Sequence, residues 1–352
     1  MKSGAIRLAV DAGNLTCDRR GMGRLVRGMI RAALEDPSFE VTLLAERASE
    51  ARALRKEFPG ERIGRAYEAR LKNRFEVVWY PFNGMRYGAA APAAVTMHDV
   101  FAFTEPHRER VARRREQEPV RRAGREAARI VTGSLWARAE IAQALHIDEA
   151  RITVVRPEPD RFWFPALNDP LPEPLAGTHF VLVVGAREPR KNVRLALAAC
   201  AHALRGPREV LVIVGQLEKR DRAYARELRV RAGEIEASDR VLRALYRNAE
   251  LVLVPSLAEG FGLVAIEAMA CGAPVIASDA SAIPEATCEA ALLLDPRDPA
   301  RWAAAIRDLL DDEGKRSALR GRGAARFAFA DRAKPAREML TLLRELGRSG
   351  AP

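Results

Sequence analysis

Short apolar runs rich in β-branched residues alternate with longer segments of helical periodicity along the whole chain. Runs that stay apolar at every position, such as Leu251–Val254, are typical of parallel strands buried on both faces. The alternation therefore predicts parallel sheets with helices on both sides. We expect strands at Ile6–Val10, Val41–Ala45, Val77–Tyr80, Val95–His98, Ile130–Thr132, Thr153–Val155, Phe180–Val184, Val210–Val214, Val230–Ala232, Leu251–Val254, Pro274–Ala277 and Ala291–Leu294.

A proline-rich stretch from Phe164 to Pro174 interrupts this alternation near the middle of the chain. Proline excludes both a helix interior and an inner strand, so we predict a linker here. The pattern then divides into two doubly wound α/β domains, 1–168 and 175–330, followed by a helical tail in 331–352. Ligands of such sheets bind beyond the carboxyl ends of the strands, which predicts a ligand cleft between two facing domains.

The composition suits this division. A chain of 352 residues with 48% hydrophobic content can bury two cores. The cysteines are widely spaced and form no CxxC pair, which indicates reduced thiols in a cytoplasmic protein rather than a zinc site or a disulfide framework. They are Cys17, Cys200, Cys271 and Cys288. We expect no signal peptide and no membrane span, since no apolar run approaches ~18 residues.

The stretch Pro255–Gly272 carries the strongest candidate chemistry. It reads as a glycine-rich loop that opens a helix, and backbone amides at a helix start bind phosphate oxygens. Glu259 and Glu267 flank that anion site, and carboxylates accept hydrogen bonds from sugar hydroxyls. A nucleotide diphosphate sugar fits this layout. The alternative is a helix-capping Glu259 and a solvated Glu267.

A cationic segment, Gly185–Asn192, follows the first predicted strand of the second half. Two or three cations of this segment, including Lys191, would neutralise a diphosphate and the charge that grows on it as the sugar leaves. Arg187 and Arg190 are the arginines of the segment. The alternative is a surface run of charges.

Two polar motifs in the first half also follow predicted strands. Gly21 and Gly23 open a helical run, where they provide an anion cradle or simply a tight turn. His98 lies at a strand's carboxyl end, where it would donate to a sugar hydroxyl, and Asp99 would fix its tautomer or the loop. The alternative is a turn with a capping Asp99.

The net charge of +11 is locally concentrated. The window Arg108–Arg129 holds nine arginines and four glutamates. It is either a solvated helix face or a surface that binds anionic lipid headgroups. We expect no nucleic-acid partner, because no aromatic residue or base-reading motif accompanies the charge.

Several of these segments resemble glycosyltransferase family 4, the retaining transferases with two domains. The resemblance rests on Pro255–Ser278, on Glu188–Asn192, on His98-Asp99 and on Gly21–Arg27. It implies the GT-B fold, with two facing Rossmann-like domains and a C-terminal helix that crosses back to the first. It also implies transfer of a sugar from GDP-mannose or a UDP-sugar to a hydroxyl of a glycan or lipid-linked acceptor. Many such relatives act at the inner membrane face.

The resemblance assigns roles to individual residues. Glu259, Lys191, Arg190 and His98 would be catalytic. The donor-binding set would be Gly21, Gly23, Asp99, Arg187, Ile235, Gly260, Phe261, Gly262, Leu263 and Glu267. Many relatives carry the arginine that partners the lysine directly after the glycine, where this chain has Ala186, so either Arg187 or Arg190 would take that role. No Asp-x-Asp motif stands at a strand end, so we expect neither a metal nor another cofactor.

Two other functions remain open at this stage. A nucleotide-sugar-binding protein without transfer activity would keep Glu267 and lose the transfer geometry. A dinucleotide-dependent oxidoreductase would also have paired Rossmann-like halves. The sequence argues against it, because the Gly21 loop lacks the third glycine of the fingerprint and no acidic residue ends the second strand at Ala45.

Overall fold

The computed structural model describes residues 4–18, 21–104, 110–164 and 169–349. The chain folds into two compact α/β units. The first contains the chain up to Pro157 and from Ala333 onward, and the second contains Glu158–Arg332.

Within the described residues, the sheet of the first unit has seven parallel strands in the order β3-β2-β1-β4-β5-β6-β7. The strands are β1 (Ile6–Asp11), β2 (Phe39–Ala45), β3 (Arg62–Arg65), β4 (Val77–Tyr80), β5 (Ala93–Thr96), β6 (Arg129–Thr132) and β7 (Ile152–Val154). The helices are α1 (Gly21–Glu35), α2 (Ala48–Glu57), α3 (Phe101–Thr104), α4 (Arg110–Glu126), α5 (Leu135–Leu145) and the C-terminal α13 (Lys334–Ser349).

The sheet of the second unit has six parallel strands in the order β10-β9-β8-β11-β12-β13 over the same described ranges. The strands are β8 (His179–Val184), β9 (Glu209–Val214), β10 (Ala232–Ile235), β11 (Leu251–Val254), β12 (Val275–Ser278) and β13 (Leu292–Leu294). The helices are α6 (Val193–Ala203), α7 (Lys219–Glu227), α8 (Asp239–Asn248), α9 (Leu263–Ala270), α10 (Ile283–Thr287), α11 (Pro299–Asp311) and α12 (Glu313–Ala328).

Alternating strand residues place the second unit's core on both faces of its sheet. On β11, Leu251 and Leu253 pack with α6 and α11, whereas Val252 and Val254 pack with α8 and α9. Both faces are covered, which explains the continuous apolar runs in the sequence. The strand order reverses between β8 and β11, so the segments that follow these two strands leave toward opposite faces. Such a reversal is where open α/β sheets bind ligands.

The C-terminal helix α13 belongs to the first unit, although it follows the second in sequence. Met339, Leu340 and Leu343 are buried in the same cluster as Leu8 of β1 and Ile30 of α1. The helix thus covers one face of the first sheet alongside α1.

The predicted linker is not where the units divide. The boundary falls after Pro157, and the following residues pack on the second unit. Trp163 is buried and meets Tyr246 of α8 edge to face at 5.6 Å. The Arg243 guanidinium donates to Asp169 at 2.6 Å and to the Phe162 carbonyl at 2.7 Å. Prolines prevent regular structure here, but they do not prevent aromatic burial. Residues 165–168 lie outside the described part.

Three strand assignments also differ from the sequence prediction, and one of them is β5, which spans Ala93–Thr96 instead of Val95–His98. β3 was missed, because it is a short edge strand with exposed Arg62 and Arg65, and a charged edge strand lacks the apolar signature. The strand expected at Val230–Ala232 runs instead over Ala232–Ile235. Ile235 therefore ends β10 rather than lying in the loop beyond it.

Candidate active site

The carboxyl edge of the second sheet gathers the strongest cluster of sequence-predicted residues. After β8 the chain makes a 3-10 turn at Pro189–Lys191, and after β11 it forms the loop that leads into α9. These are the two segments that follow the strands at the order reversal. Residues 68 positions apart, Lys191 and Glu259, therefore come into contact.

Glu259 is the centre of this cluster. Its Oε1 accepts from Lys191 Nζ at 2.6 Å and from Ser256 Oγ at 2.7 Å, and its Oε2 accepts from Arg190 Nη1 at 2.8 Å. The three charged side chains are only 9 to 15% exposed. Burial alone would raise the pKa of Glu259, but the charges of Lys191 and Arg190 outweigh it and lower that pKa. Glu259 is therefore ionised at neutral pH.

Hydrogen bonds between the loops hold this arrangement in place. Leu257 N donates to the Arg190 carbonyl at 2.7 Å. Asn192 Nδ2 donates to the carbonyls of Pro255 at 3.1 Å and Pro296 at 2.9 Å. Glu259 N donates to Ser281 Oγ at 2.9 Å.

Asn192 and Ser281 both have positive φ, a conformation that costs free energy and concentrates at functional sites.

The start of α9 lies directly after this cluster. Gly262 caps the helix with φ of +105°, which only glycine adopts at little cost, and Leu263 is the first helical residue. The first amides of a helix lack intrahelical acceptors and lie at the positive end of its dipole. Phe261 is buried below the loop in the core of the second unit. The sequence prediction of a glycine loop that opens a helix is confirmed.

Glu267 lies within α9 and is buried. It is therefore not the solvated surface residue of the alternative interpretation. Its assignment to the donor ribose stays a prediction.

The position of the arginines favours one candidate over the other. Arg190 shares Glu259 with Lys191 and also contacts the Ala258 carbonyl at 3.1 Å. Arg187 is exposed and donates instead to Gln216 Oε1 at 2.7 Å, after β9. Arg190 is thus the arginine that the structure brings to Lys191.

In the first unit, His98 follows β5 and is held by the segment after β4. Its Nε2 lies 3.0 Å from the Pro81 carbonyl, and its backbone N donates to Asn83 Oδ1 at 2.6 Å. A carbonyl only accepts, so Nε2 carries the proton. Burial lowers the pKa of His98, so the ring is neutral at pH 7. Its Nδ1 is then an acceptor, and the expectation that His98 donates to a sugar hydroxyl is corrected.

Asp99 orders the loop after β5, which is one of the roles predicted for it. Its Oδ1 accepts from Asn83 Nδ2 and from Phe101 N, both at 3.2 Å, so it orders the loop. The hydrogen bond that sets the His98 tautomer is the one that Nε2 donates to the Pro81 carbonyl. Asn83 was not predicted, although a polar residue after a buried strand is a recognisable signal.

The glycines of the first half lie at the start of α1. Gly21 is its first residue, and Gly23 lies against the Asp18 carbonyl, too close for a side chain. Arg27 of the next turn donates to the Leu15 carbonyl at 2.6 Å and to that of Asp18 at 2.7 Å. The close packing accounts for Gly23, and an anion-binding role for this loop stays a prediction.

The described residues contain no group of three or more His, Cys, Asp or Glu side chains arranged to hold a metal ion. In the same part of the chain, no helix is both long and apolar enough to cross a membrane. All four cysteines are free thiols.

The second unit is the part of the chain that matches a known protein family. Residues 173–326 match the sequence model of the family described as glycosyl transferases group 1. Through these residues the chain is similar to the group 1 glycosyl transferases. This agrees with the resemblance to family 4.

Proteins similar to this chain include two named enzymes. The D-inositol 3-phosphate glycosyltransferase of Salinispora arenicola is 32% identical over 238 residues, which cover 58% of this chain and 51% of that protein. The O-antigen chain mannosyltransferase B of Escherichia coli is 31% identical over 253 residues, covering 66% and 65%. The chain thus spans about half to two thirds of the length of these relatives.

Solved structures establish the fold. The sucrose-phosphate synthase of Thermosynechococcus elongatus superimposes with a TM-score of 0.73 at 21% identity, covering 98% of this chain and all of that one. HepE of Anabaena, solved with UDP-glucose, gives a TM-score of 0.73 at 16% identity and covers 97% of this chain and all of its own. The chain therefore has the GT-B fold, as predicted.

Proposed function

We propose that this protein transfers a sugar from a nucleotide diphosphate sugar to a hydroxyl group of a glycan or lipid-linked acceptor, with retention at the anomeric carbon. The observation that carries the proposal is the contact of Lys191 and Arg190 with Glu259 beside the start of α9. It joins two cations, a helix N-terminus and a carboxylate at the sheet edge where α/β folds bind ligands.

In the proposed reaction, the diphosphate lies against Lys191, Arg190 and the amides of Gly260–Leu263. As the bond between the anomeric carbon and the diphosphate oxygen breaks, the leaving group takes the electron pair, and these groups stabilise its charge. The acceptor oxygen bonds to the anomeric carbon from the same side, and its proton passes to the leaving phosphate. No enzyme nucleophile is required.

The remaining side chains orient the donor. Glu259 accepts hydrogen bonds from sugar hydroxyls, and buried Glu267 accepts from the ribose. His98 Nδ1 accepts from a sugar hydroxyl, since its Nε2 is committed to Pro81. The backbone of Ile235, at the end of β10, contacts the nucleobase of the donor.

Two donors remain candidates. The Glu188–Asn192 segment and the similarity to a mannosyltransferase support GDP-mannose. The similarity of fold to a protein solved with UDP-glucose supports a UDP-sugar.

We also propose that the basic helix α4 binds an anionic membrane surface, where a lipid-linked acceptor would reside. Val120 and Ala123 face the core, whereas Arg114, Arg115 and Arg121 are exposed. Ala66 and Ala69 of the segment before β4 pack in the same core cluster, and the neighbouring Tyr67 and Leu71 are 64% and 47% exposed. Clustered exposed arginines are attracted to anionic headgroups, and exposed apolar side chains of the same unit suit the headgroup layer. Arg108 and Glu109 of the predicted window lie outside the described residues.

A single-turnover assay tests transfer. Wild type and Glu259→Ala are mixed with GDP-mannose or UDP-glucose and a panel of glycan and lipid-linked acceptors, and product is measured by mass spectrometry. We expect product with wild type and at least a hundredfold less with the variant, about 2.7 kcal/mol of lost stabilisation. Nucleotide binding by wild type without turnover on any acceptor would indicate a binding protein instead.

A further inference from the structure

The carboxylate assigned to the donor sugar is already fully engaged in this structure. Both Glu259 oxygens are bound by cations, one by Lys191 and the other by Arg190. A diphosphate would make the same pattern of contacts, in which two oxygens of one anion bridge the two adjacent cations. The carboxylate and the diphosphate therefore require the same positive charges.

We propose that Glu259 is an internal counter-anion, which occupies Lys191 and Arg190 before the donor arrives and is exchanged for the donor diphosphate. This inference rests on the proposed function, and it adds an order of events. The carboxylate becomes available to sugar hydroxyls only after the diphosphate has taken the cations, so nucleotide binding and the grip on the sugar are coupled.

The electrostatics of the cluster support such an exchange. Lys191 and Arg190 lie within hydrogen-bond distance of the same carboxylate and are mostly shielded from water. Without an anion between them, two like charges this close would repel and each would lose hydration. Glu259 removes that cost in the donor-free protein, and a diphosphate removes it in the complex.

The other contacts of the cluster show which groups stay in place. Arg190 is also held by Glu188 and by the Ala258 carbonyl, whereas Lys191 Nζ contacts a carboxylate only at Glu259 among the described side chains. Ser256 Oγ donates to Glu259 Oε1 and remains as a partner after the exchange. Ser256 is thus a positioning residue that keeps the released carboxylate hydrogen-bonded.

Glu259→Gln tests the exchange, because it keeps the shape and a hydrogen-bonding oxygen but removes the competing charge. Titration calorimetry with UDP, GDP and inorganic pyrophosphate should show a Kd about tenfold lower than in wild type, equivalent to about 1.4 kcal/mol, although transfer is lost. The control is Glu209→Gln, which removes a carboxylate paired with Arg307 at the start of β9, at the opposite sheet edge. Its Kd values should equal those of wild type.

The inference is overturned if Glu259→Gln binds all three probes with a Kd equal to or higher than that of wild type. This holds even where wild type binds nucleotide and transfers sugar. Failure of both proteins to bind any probe overturns the proposed function as well. If Glu259→Gln does not fold, the Kd of Ser256→Ala for pyrophosphate tests the exchange instead. It keeps both charges but removes the partner of the released carboxylate, so it should raise the Kd for pyrophosphate severalfold, and an unchanged or lower Kd would contradict the exchange.

Discussion

At the scale of single residues, the arginine beside Lys191 gives a discriminating prediction. Arg190→Ala removes a charge-assisted hydrogen-bond donor from the proposed diphosphate site, which is typically worth about 1.5–3 kcal/mol. Transfer should fall by roughly ten- to a hundredfold. Arg187→Ala is the matched control, because Arg187 contacts Gln216 and not Glu259. Equal losses of kcat/KM in the two variants would contradict the assignment of Arg190.

His98 gives a prediction about pH. Its pKa is lowered on folding, so the unfolded chain binds a proton at a higher pH than the native protein does. The stability that this residue contributes is complete above its unfolded pKa of about 6.5 and is lost as the pH falls below it, by up to about 1.4 kcal/mol per pH unit.

His98→Gln keeps a nitrogen donor for the Pro81 carbonyl but cannot titrate. Urea unfolding of both proteins at pH 7.5, 6.5 and 5.5 isolates the effect of His98. Wild type should lose more stability than the variant over this range. Parallel pH profiles would show that His98 is not held neutral by burial.

At the scale of elements, the packing of α4 depends on a close approach at Gly84. A Cβ there would lie 2.5 Å from the Pro119 carbonyl carbon, and φ at Gly84 is +114°. Met85 N also donates to the Pro119 carbonyl at 2.9 Å, so the two backbones cannot separate freely. Gly84→Ala should lower the free energy of unfolding by about 2–4 kcal/mol, from left-handed strain and overpacking together.

Gly28→Ala is the matched control for this change. Gly28 lies on α1, and a Cβ there meets nothing within 4 Å. Alanine should stabilise that helix by about 0.5–1 kcal/mol. Chemical denaturation should therefore show a lower free energy of unfolding for Gly84→Ala and a higher one for Gly28→Ala. An unchanged free energy of unfolding in Gly84→Ala would show that α4 does not pack as described.

The exposed arginines of α4 predict how the protein binds vesicles. Each basic residue near an anionic surface contributes about 1 kcal/mol, so Arg114→Glu with Arg115→Glu should weaken binding to vesicles of phosphatidylglycerol and phosphatidylcholine by about 30-fold or more. The control reverses the charge of exposed Arg301 and Arg322 in the second unit. Flotation assays compare the three proteins. If both variants lose vesicle binding to the same extent, α4 is excluded as the contact. The same conclusion follows if wild type binds vesicles of pure phosphatidylcholine as well as it binds the anionic vesicles.

Particular elements show how much the sequence reveals. β4 and β11 were predicted residue for residue, because strands buried on both faces are apolar throughout. The start of α9 was predicted from Gly262 and the helix formers after it. β3 was not, since an edge strand is free to be charged, and the attachment of Trp163 to the second unit depends on tertiary burial that proline spacing does not encode.

The site shows a similar limit. Lys191, Arg190 and Glu259 could be predicted as site residues from the sequence. Their ion pairs could not, because they depend on the reversal of strand order that brings two distant segments together. Ser256 and Asn192 were passed over for the same reason. A serine or asparagine in a loop indicates little until its partner is known.

At the scale of the whole molecule, the central claim is that the second unit binds the diphosphate of a nucleotide sugar through Lys191. Thermal denaturation with UDP, GDP, ADP and their sugars measures this most directly, with Lys191→Ala beside wild type and with Lys315→Ala as a control. Lys315 is a lysine of α12 in the same unit, and it is ion-paired with Asp308 rather than with Glu259.

At about 100 times its Kd, the preferred nucleotide should add roughly 2.7 kcal/mol of stability to wild type and to Lys315→Ala. Lys191→Ala should lose most of that gain. An equal gain in Lys191→Ala, or no stabilisation of wild type by any nucleotide of the panel, would contradict the account.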